Sequence, residues 1–145
     1  MKRIFFSLFL FLTTFLTGYA QVADSTMFRG YLQNKEYNVY MQINFYDQDV
    51  VISWEDMYGS LPGFLAKEGG NFCWIITDVS MEGRQAQLEM VNDYGSEDLT
   101  ATLTQVNDST YTLRQRTGST IKVPNNGKWQ KLPSTLNFTK RKTKK

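Results

Sequence analysis

The chain has 145 residues, with 16 basic and 14 acidic side chains, one cysteine and no histidine. Without imidazole there is no Ser-His or Cys-His catalytic pair, and one cysteine cannot complete the four ligands of an ordinary zinc site. We therefore expect neither a metal nor a cofactor. Catalysis, if there were any, would have to use carboxylate, lysine or tyrosine groups.

The first predicted element is an export signal over residues 1–20. Lys2 and Arg3 precede an apolar run from Ile4 to Leu16, and small residues occupy the third and first positions before Gln21. That run is shorter than the roughly 20 apolar residues of a membrane-spanning helix. We expect cleavage before Gln21, no transmembrane span after processing, and a periplasmic or secreted product.

Short alternating runs of apolar and polar residues follow the leader, separated by turn-forming residues. Residues 37–46 alternate most clearly, which predicts a strand with one buried and one solvent-facing side. Residues 72–79 are apolar on both sides, which predicts a strand in the middle of a sheet or under a covering loop. Further strands are predicted at residues 28–32, 50–58, 64–68, 84–91, 99–104, 111–116, 120–123 and 135–140.

The connections between these runs are short, so neighbouring strands must pair as antiparallel hairpins. Closing such a meander into a barrel leaves no free edge. We predict one all-β domain over residues 21–139, an antiparallel meander of about nine strands closed as an up-and-down barrel. A two-layer β-sandwich is the alternative.

Three sequence features carry a resemblance. The leader ends in Tyr19-Ala20-Gln21, residues 28–32 read Phe-Arg-Gly-Tyr-Leu, and Gly127-Lys128-Trp129 precedes a last strand at residues 136–138. In these features the chain resembles small exported β-meander proteins of Gram-negative bacteria, which implies a lipocalin-like barrel. The Gly-x-Trp of true lipocalins is absent near the N-terminus, so the resemblance implies no lipocalin transport function.

Charge is divided between an acidic body and a basic end. Residues 21–127 carry seven basic and fourteen acidic side chains, a net charge of −7, whereas residues 128–145 carry seven basic side chains and no acidic one. A solvated, frayed terminus is one interpretation. Attraction to an anionic envelope component, such as lipopolysaccharide or acidic glycan, is the other. Nucleic acid is not an expected partner of an exported acidic body. The basic tail, residues 140–145, offers Lys140, Arg141, Lys142, Lys144 and Lys145 for such contacts.

The three tryptophans are candidate ligand-binding residues. Trp54, Trp74 and Trp129 could line a cavity, because small β-barrels can hold one small apolar molecule in their interior. The alternative is that these large side chains simply fill the barrel.

Two tyrosines are candidates for a glycan site. Tyr40 and Tyr46 share the polar side of their strand with Asn38, Gln42 and Asn44, and flat rings beside amides resemble a sugar-binding platform. The alternative is that tyrosine is an ordinary strand residue.

Two further patterns indicate other chemistry. A carboxylate pair drawn from Glu55, Asp56, Asp78 and Glu89 would be the minimum for a glycoside hydrolase. The tripeptides at residues 24–26 and 108–110, both Asp-Ser-Thr, look like O-glycosylation acceptors of some Gram-negative periplasms.

The sequence thus predicts an exported, non-enzymatic β-barrel protein that binds a small apolar ligand or a glycan. An interaction module for a protein or an anionic envelope surface is the alternative, and a carboxylate-dependent hydrolase is the weaker one.

Overall fold

A computed structural model describes residues 25–142, so the predicted leader and Lys144 and Lys145 of the tail lie outside the described residues. Within that range there is no helix, and none therefore that could span a membrane. The ten strands are β1 (Arg29–Asn34), β2 (Val39–Asn44), β3 (Gly63–Lys67), β4 (Cys73–Glu82), β5 (Gln85–Asn92), β6 (Asp98–Asn107), β7 (Thr110–Gly118), β8 (Lys122–Asn125), β9 (Lys128–Lys131) and β10 (Thr135–Lys140).

Eight of these strands close an antiparallel barrel in the order β1-β10-β7-β6-β5-β4-β3-β2. The predicted up-and-down barrel is confirmed, but it has eight strands because β8 and β9 pair only with each other. Pairing of Leu32 with Lys140 and of Gln33 with Thr139 closes the barrel between β1 and β10. Lys140, which the sequence analysis counts both in the strand predicted at residues 135–140 and in the basic tail, belongs to the last barrel strand.

Side-chain alternation places the core inside the barrel. Val39, Met41, Ile43 and Phe45 on and just after β2 are at most 2% exposed, as the alternation predicts. Burying one such side chain stabilises the fold by roughly 1.5–3 kcal/mol. The same interior cluster contains Leu32, Leu65, Trp74, Ile76, Ala86, Leu88, Met90, Leu99, Ala101, Leu103, Tyr111, Leu113, Leu136 and Phe138.

The two ends of the barrel are closed differently. At the amino-terminal end, where β1 begins, Phe28 stacks on Phe45 with ring centroids 5.5 Å apart and meets Tyr111 edge to face at 6.4 Å. At the opposite end, the hairpin end, β8 and β9 follow the end of β7. Ile121, Val123 and Leu132 of this hairpin region are buried in the barrel core.

Residues 50–61 form a covering loop on the outer wall of the barrel, so the strand predicted at residues 50–58 is wrong. Only an isolated bridge joins Val50 to Leu61. Apolar alternation here buries Val50 and Ile52 against the outward-facing side of β3 and β4 rather than building a further strand. The covering loop also explains the two-sided apolar run at residues 72–76, because Cys73 and Ile75 face it while Trp74 faces the interior.

Candidate functional site at the hairpin end

The tip of the β8–β9 hairpin has a sequence that favours a tight turn. Asn125 pairs with Lys128, which leaves a two-residue loop of Asn126 and Gly127. Both loop residues have positive φ, 52° and 77°, and Asn-Gly is the preferred pair for such a type I′ geometry. The turn therefore fixes the register in which Trp129 lies opposite Pro124.

The loop between β5 and β6 is held by one buried amide. Asn92 Oδ1 accepts hydrogen bonds from the backbone nitrogens of Ser96 (2.9 Å) and Glu97 (3.1 Å), and its Nδ2 donates to Ser96 Oγ at 3.0 Å. Gly95, in the left-handed region at φ 70°, donates its N–H to Asn92 O. These contacts hold the loop that carries Tyr94 beside the hairpin.

Three aromatic rings meet between that loop and the hairpin. Phe72 lies 5.0 Å from Trp129 and 5.5 Å from Tyr94, measured between ring centroids, and Tyr94 lies 6.4 Å from Trp129. The Trp129 ring meets Phe72 at 75° and Tyr94 at 83°. Phe72 is buried at the base, but Tyr94 is 71% and Trp129 49% exposed.

Charged groups lie beside the rings. Lys122 Nζ is 3.3 Å from Glu97 Oε1 and 5.9 Å from the Trp129 ring centroid, within reach of a cation–π contact. A partly exposed ion pair of this kind contributes at most about 1 kcal/mol to stability. Its larger effect is to hold a cation and a carboxylate next to exposed aromatic surface.

Together these residues line a depression of about 450 Å³, which we call the aromatic groove: Phe72, Asn92, Tyr94, Ser96, Glu97, Lys122 and Trp129. Its size is within the range of small-molecule sites. Aromatic faces take up flat apolar surface, while the ammonium and carboxylate groups exchange hydrogen bonds with hydroxyls. The groove can therefore hold a ligand that has both kinds of surface.

The hairpin that carries Lys122 and Trp129 of the groove is joined to the barrel by two hydrogen bonds. Trp74 Nε1, inside the barrel, donates to Lys122 O at 2.9 Å. Lys67 Nζ, at the end of β3, donates to Asn125 Oδ1 at 2.7 Å. A hydrogen bond thus joins the core residue Trp74 directly to the groove residue Lys122.

The structure does not bring the three predicted tryptophans together. Trp74 is fully buried in the barrel, and Trp129 lies in the aromatic groove. Trp54 belongs to the covering loop on the outer wall, where its ring meets Phe64 edge to face at 5.6 Å. The three side chains share no cavity. Strand alternation places Trp74 inside the barrel, whereas Trp54 in the covering loop and Trp129 in the hairpin lie at separate outer positions.

Nor do the two predicted tyrosines form one platform. Tyr40 lies on the outer wall, stacked on Tyr31 with centroids 4.9 Å apart. Tyr46 packs against the core at the amino-terminal end, where its hydroxyl accepts a hydrogen bond from the Phe28 backbone N–H at 3.2 Å. Asn44, expected on the wet side, is buried, because its amide organises the turn after β2.

The first residues of the basic tail contact the body. Lys140 Nζ donates to Thr26 O at 2.5 Å, and the Arg141 backbone N–H donates to Tyr31 O at 2.8 Å. The Arg141 guanidinium also lies over the Tyr31 ring, 4.6 Å from its centroid. Among the described tail residues, Arg141 and Lys142 are exposed and Lys140 is partly buried.

The four candidate carboxylates fall into two regions. Asp78 and Glu89 are cross-strand partners on β4 and β5, both exposed. Glu55 and Asp56 lie in the covering loop, where Glu55 Oε1 accepts the Met57 backbone N–H at 3.1 Å. The fold thus pairs only Asp78 with Glu89, next to an irregularity in the β4–β5 register.

Of the seven residues that line the aromatic groove, the sequence analysis singled out only Trp129. Tyr94 lies between the strands predicted at residues 84–91 and 99–104, and Glu97 and Lys122 lie 25 residues apart in the sequence. The available signal was a large aromatic residue, Tyr94, in a stretch of turn-forming residues.

Comparison with protein-family models, curated proteins and solved structures gives no match for this chain. The resemblance to small exported β-meander proteins therefore stays a prediction, and the fold assignment stands on the closed barrel itself.

Proposed function

We propose that the protein is an exported, non-enzymatic binding protein that takes a glycan in the aromatic groove. Export is inferred from the sequence of residues 1–20, and it leads to a periplasmic or secreted location. Glycan binding is inferred from the groove, and the two inferences are tested separately.

The observation that carries the proposal is the exposure of Tyr94 and Trp129 beside an ion pair. Two large rings in solvent lose the free energy that burial would provide, and exposed aromatic surface next to polar groups is typical of binding sites. A pyranose ring has apolar C–H faces for the aromatic walls and hydroxyls for Glu97 and Lys122. A glycan therefore uses both kinds of surface that the groove offers.

The barrel interior supports a small apolar ligand less well. Its positions are occupied by buried side chains, among them Trp74, Met41 and Phe138. Opening room for a ligand there would remove core contacts, at several kcal/mol for each large side chain displaced. The preferred ligand class is therefore a glycan rather than a small apolar molecule.

The basic tail supports an anionic-surface function less well than its charge suggests. Lys140 and Arg141 already contact Thr26 and Tyr31 of the body.

The carboxylate-dependent hydrolase has one observation in its favour. Asp78 and Glu89 are partners across β4 and β5, and both side chains are exposed. We therefore propose neither as the main function.

The test is binding of the purified barrel to an array of immobilised oligosaccharides, followed by titration of the strongest ligand. Trp129→Ala and Tyr94→Ala should each weaken binding about fivefold or more, since stacking of a flat nucleic-acid base on an aromatic side chain is worth about 1–3 kcal/mol. Met57→Ala is the matched control, because Met57 is 77% exposed but lies in the covering loop. Binding that is unaffected by both groove variants, or absent from the whole array, contradicts the proposal.

The export part has its own measurement. Intact mass of protein recovered from the envelope or medium of its native host should correspond to a chain that begins at Gln21, apart from any modification. A recovered protein that still carries residues 1–20 would contradict cleavage without affecting the groove.

A further inference from the structure

We propose that Ser25 and Ser109 are O-glycan acceptors that together form one modification patch at the amino-terminal end of the barrel. The starting observation is that the tripeptide Asp-Ser-Thr occurs twice, at residues 24–26 and 108–110. These segments are far apart in the chain, so local sequence does not explain their proximity in the fold. The aromatic groove lies at the opposite end, and the proposal is independent of it.

Lys140 connects the two tripeptides. Its backbone N–H donates to Ser109 O at 2.7 Å, and its Nζ donates to Thr26 O at 2.5 Å. One residue at the end of β10 therefore contacts both segments. The barrel topology produces this juxtaposition, because the β6–β7 turn and the segment before β1 lie at the same end.

Both serines are accessible. Ser109 is exposed in the tight β6–β7 turn, and Ser25 is exposed in the turn that precedes β1. By contrast, Thr110 is partly buried at the start of β7 and pairs with Thr139 of β10. Within the described tripeptide residues, the serines are thus the hydroxyls that the two turns offer in common.

The turn holds the Ser109 hydroxyl in a defined position. Asn107 Oδ1 accepts hydrogen bonds from the Ser109 N–H at 3.1 Å and from Ser109 Oγ at 3.2 Å. A transferase that binds this turn would meet a fixed backbone and an exposed serine next to Asp108, which is also exposed. Fixed geometry lowers the entropy lost on recognition.

The chemistry requires a glycosyl donor activated by a phosphate leaving group, together with its transferase. Ser Oγ attacks the anomeric carbon of the donor, the Oγ–C bond forms, and the bond between that carbon and the phosphate oxygen breaks. The hydroxyl proton passes to a base of the transferase, and the phosphate carrier leaves with the electron pair. The barrel supplies only the acceptor oxygen, and no oxidation or reduction occurs.

One competing acceptor lies in the same turn. Asn107-Asp108-Ser109 also satisfies the Asn-x-Ser pattern of N-linked glycans. Residue 23, two positions before Ser25, is alanine, so N-linked chemistry cannot account for both tripeptides. The serine hydroxyl is the acceptor that the two copies share.

The experiment is intact-mass measurement of protein recovered from the envelope or medium of its native host, with fragmentation that keeps side-chain modifications attached. We expect a mass above that of the polypeptide by whole saccharide units, located on Ser25 and Ser109. Ser109→Ala and Ser25→Ala should each remove the part of the saccharide mass that is attached at the substituted residue. The double variant should have the mass of the unmodified polypeptide. Asp108→Asn should reduce occupancy of Ser109 and leave Ser25 unchanged.

The chain provides a matched control in Pro133-Ser134-Thr135, where an exposed serine precedes threonine without a preceding aspartate. Ser134→Ala should leave the mass excess unchanged. A polypeptide mass without saccharide overturns the proposal, as does an excess that persists in the double variant. Attachment to Asn107 or addition of a phosphoryl group instead of a saccharide overturns it too.

Discussion

Aromatic residues lie at both ends of this barrel, but their exposure is opposite. At the amino-terminal end Phe28, Phe45 and Tyr111 are at most 2% exposed, and the Tyr111 hydroxyl donates to Met27 O. At the hairpin end Tyr94 is 71% and Trp129 49% exposed, and both contact the buried Phe72. The first group closes the core, whereas the second leaves aromatic surface available to a partner.

Ring-to-ring contact alone does not identify a stabilising cluster. Centroid distances at the two ends are similar, 5.5 and 6.4 Å at one and 5.0 to 6.4 Å at the other. An aromatic pair adds about 0.5–1.5 kcal/mol, but removal of the ring from water contributes more. Exposure therefore decides which end stabilises the fold.

The largest expected effect is the difference in unfolding free energy lost when one aromatic ring is removed from each end. Phe28→Ala should lower the free energy of unfolding by about 3–5 kcal/mol, because it leaves a cavity among Phe45 and Tyr111. Trp129→Ala should lower it by about 1 kcal/mol or less, because half of that side chain is exposed. Urea unfolding measures both. Equal losses would show that the two ends are not distinct.

A smaller effect tests the connection between core and groove. Trp74→Phe removes the indole donor and leaves Lys122 O without that hydrogen bond, which should cost about 1–3 kcal/mol. Hydrogen exchange should speed up in β8 and β9 more than at Phe28. Trp129→Phe is the control, since Trp129 lies on the outer side of the same hairpin. Uniform acceleration along the barrel would contradict a local connection.

The last effect is confined to alkaline pH and concerns the outer wall, where the covering loop shields titratable side chains from solvent. Burial, with Asp93 and Glu55 nearby, raises the pKa of Cys73 from 9.0 to about 12, and burial with the Asp93 hydrogen bond raises the pKa of Tyr58 from 10.0 to about 12. Because the folded protein holds these protons more tightly than the unfolded chain, their stabilisation is complete below pH 9 and is lost as pH rises toward 12.

Urea unfolding at increasing alkaline pH measures this loss. In Tyr58→Phe and Cys73→Ala the decline should be shallower, since each variant lacks one of the two protons. A decline equal to that of the wild type in both variants would show that other groups control alkaline unfolding.

Much of the barrel was predictable from the sequence because strand alternation is a local property. Val39, Met41 and Ile43 face inward as their spacing requires, and short turn-rich connections force antiparallel neighbours. The period of two and the turn residues needed no knowledge of distant contacts. The export signal and the two Asp-Ser-Thr tripeptides are likewise linear patterns, which remain to be tested.

The tertiary structure alone decided where the aromatic and polar side chains end up. Residues 50–58 alternate as a strand would, yet they cover an apolar outer wall. Asn44 is buried because its side chain hydrogen-bonds the backbone of the turn after β2. The aromatic groove joins Phe72, Tyr94 and Trp129 from three segments. Such contacts depend on long-range packing, which a period of two residues does not encode.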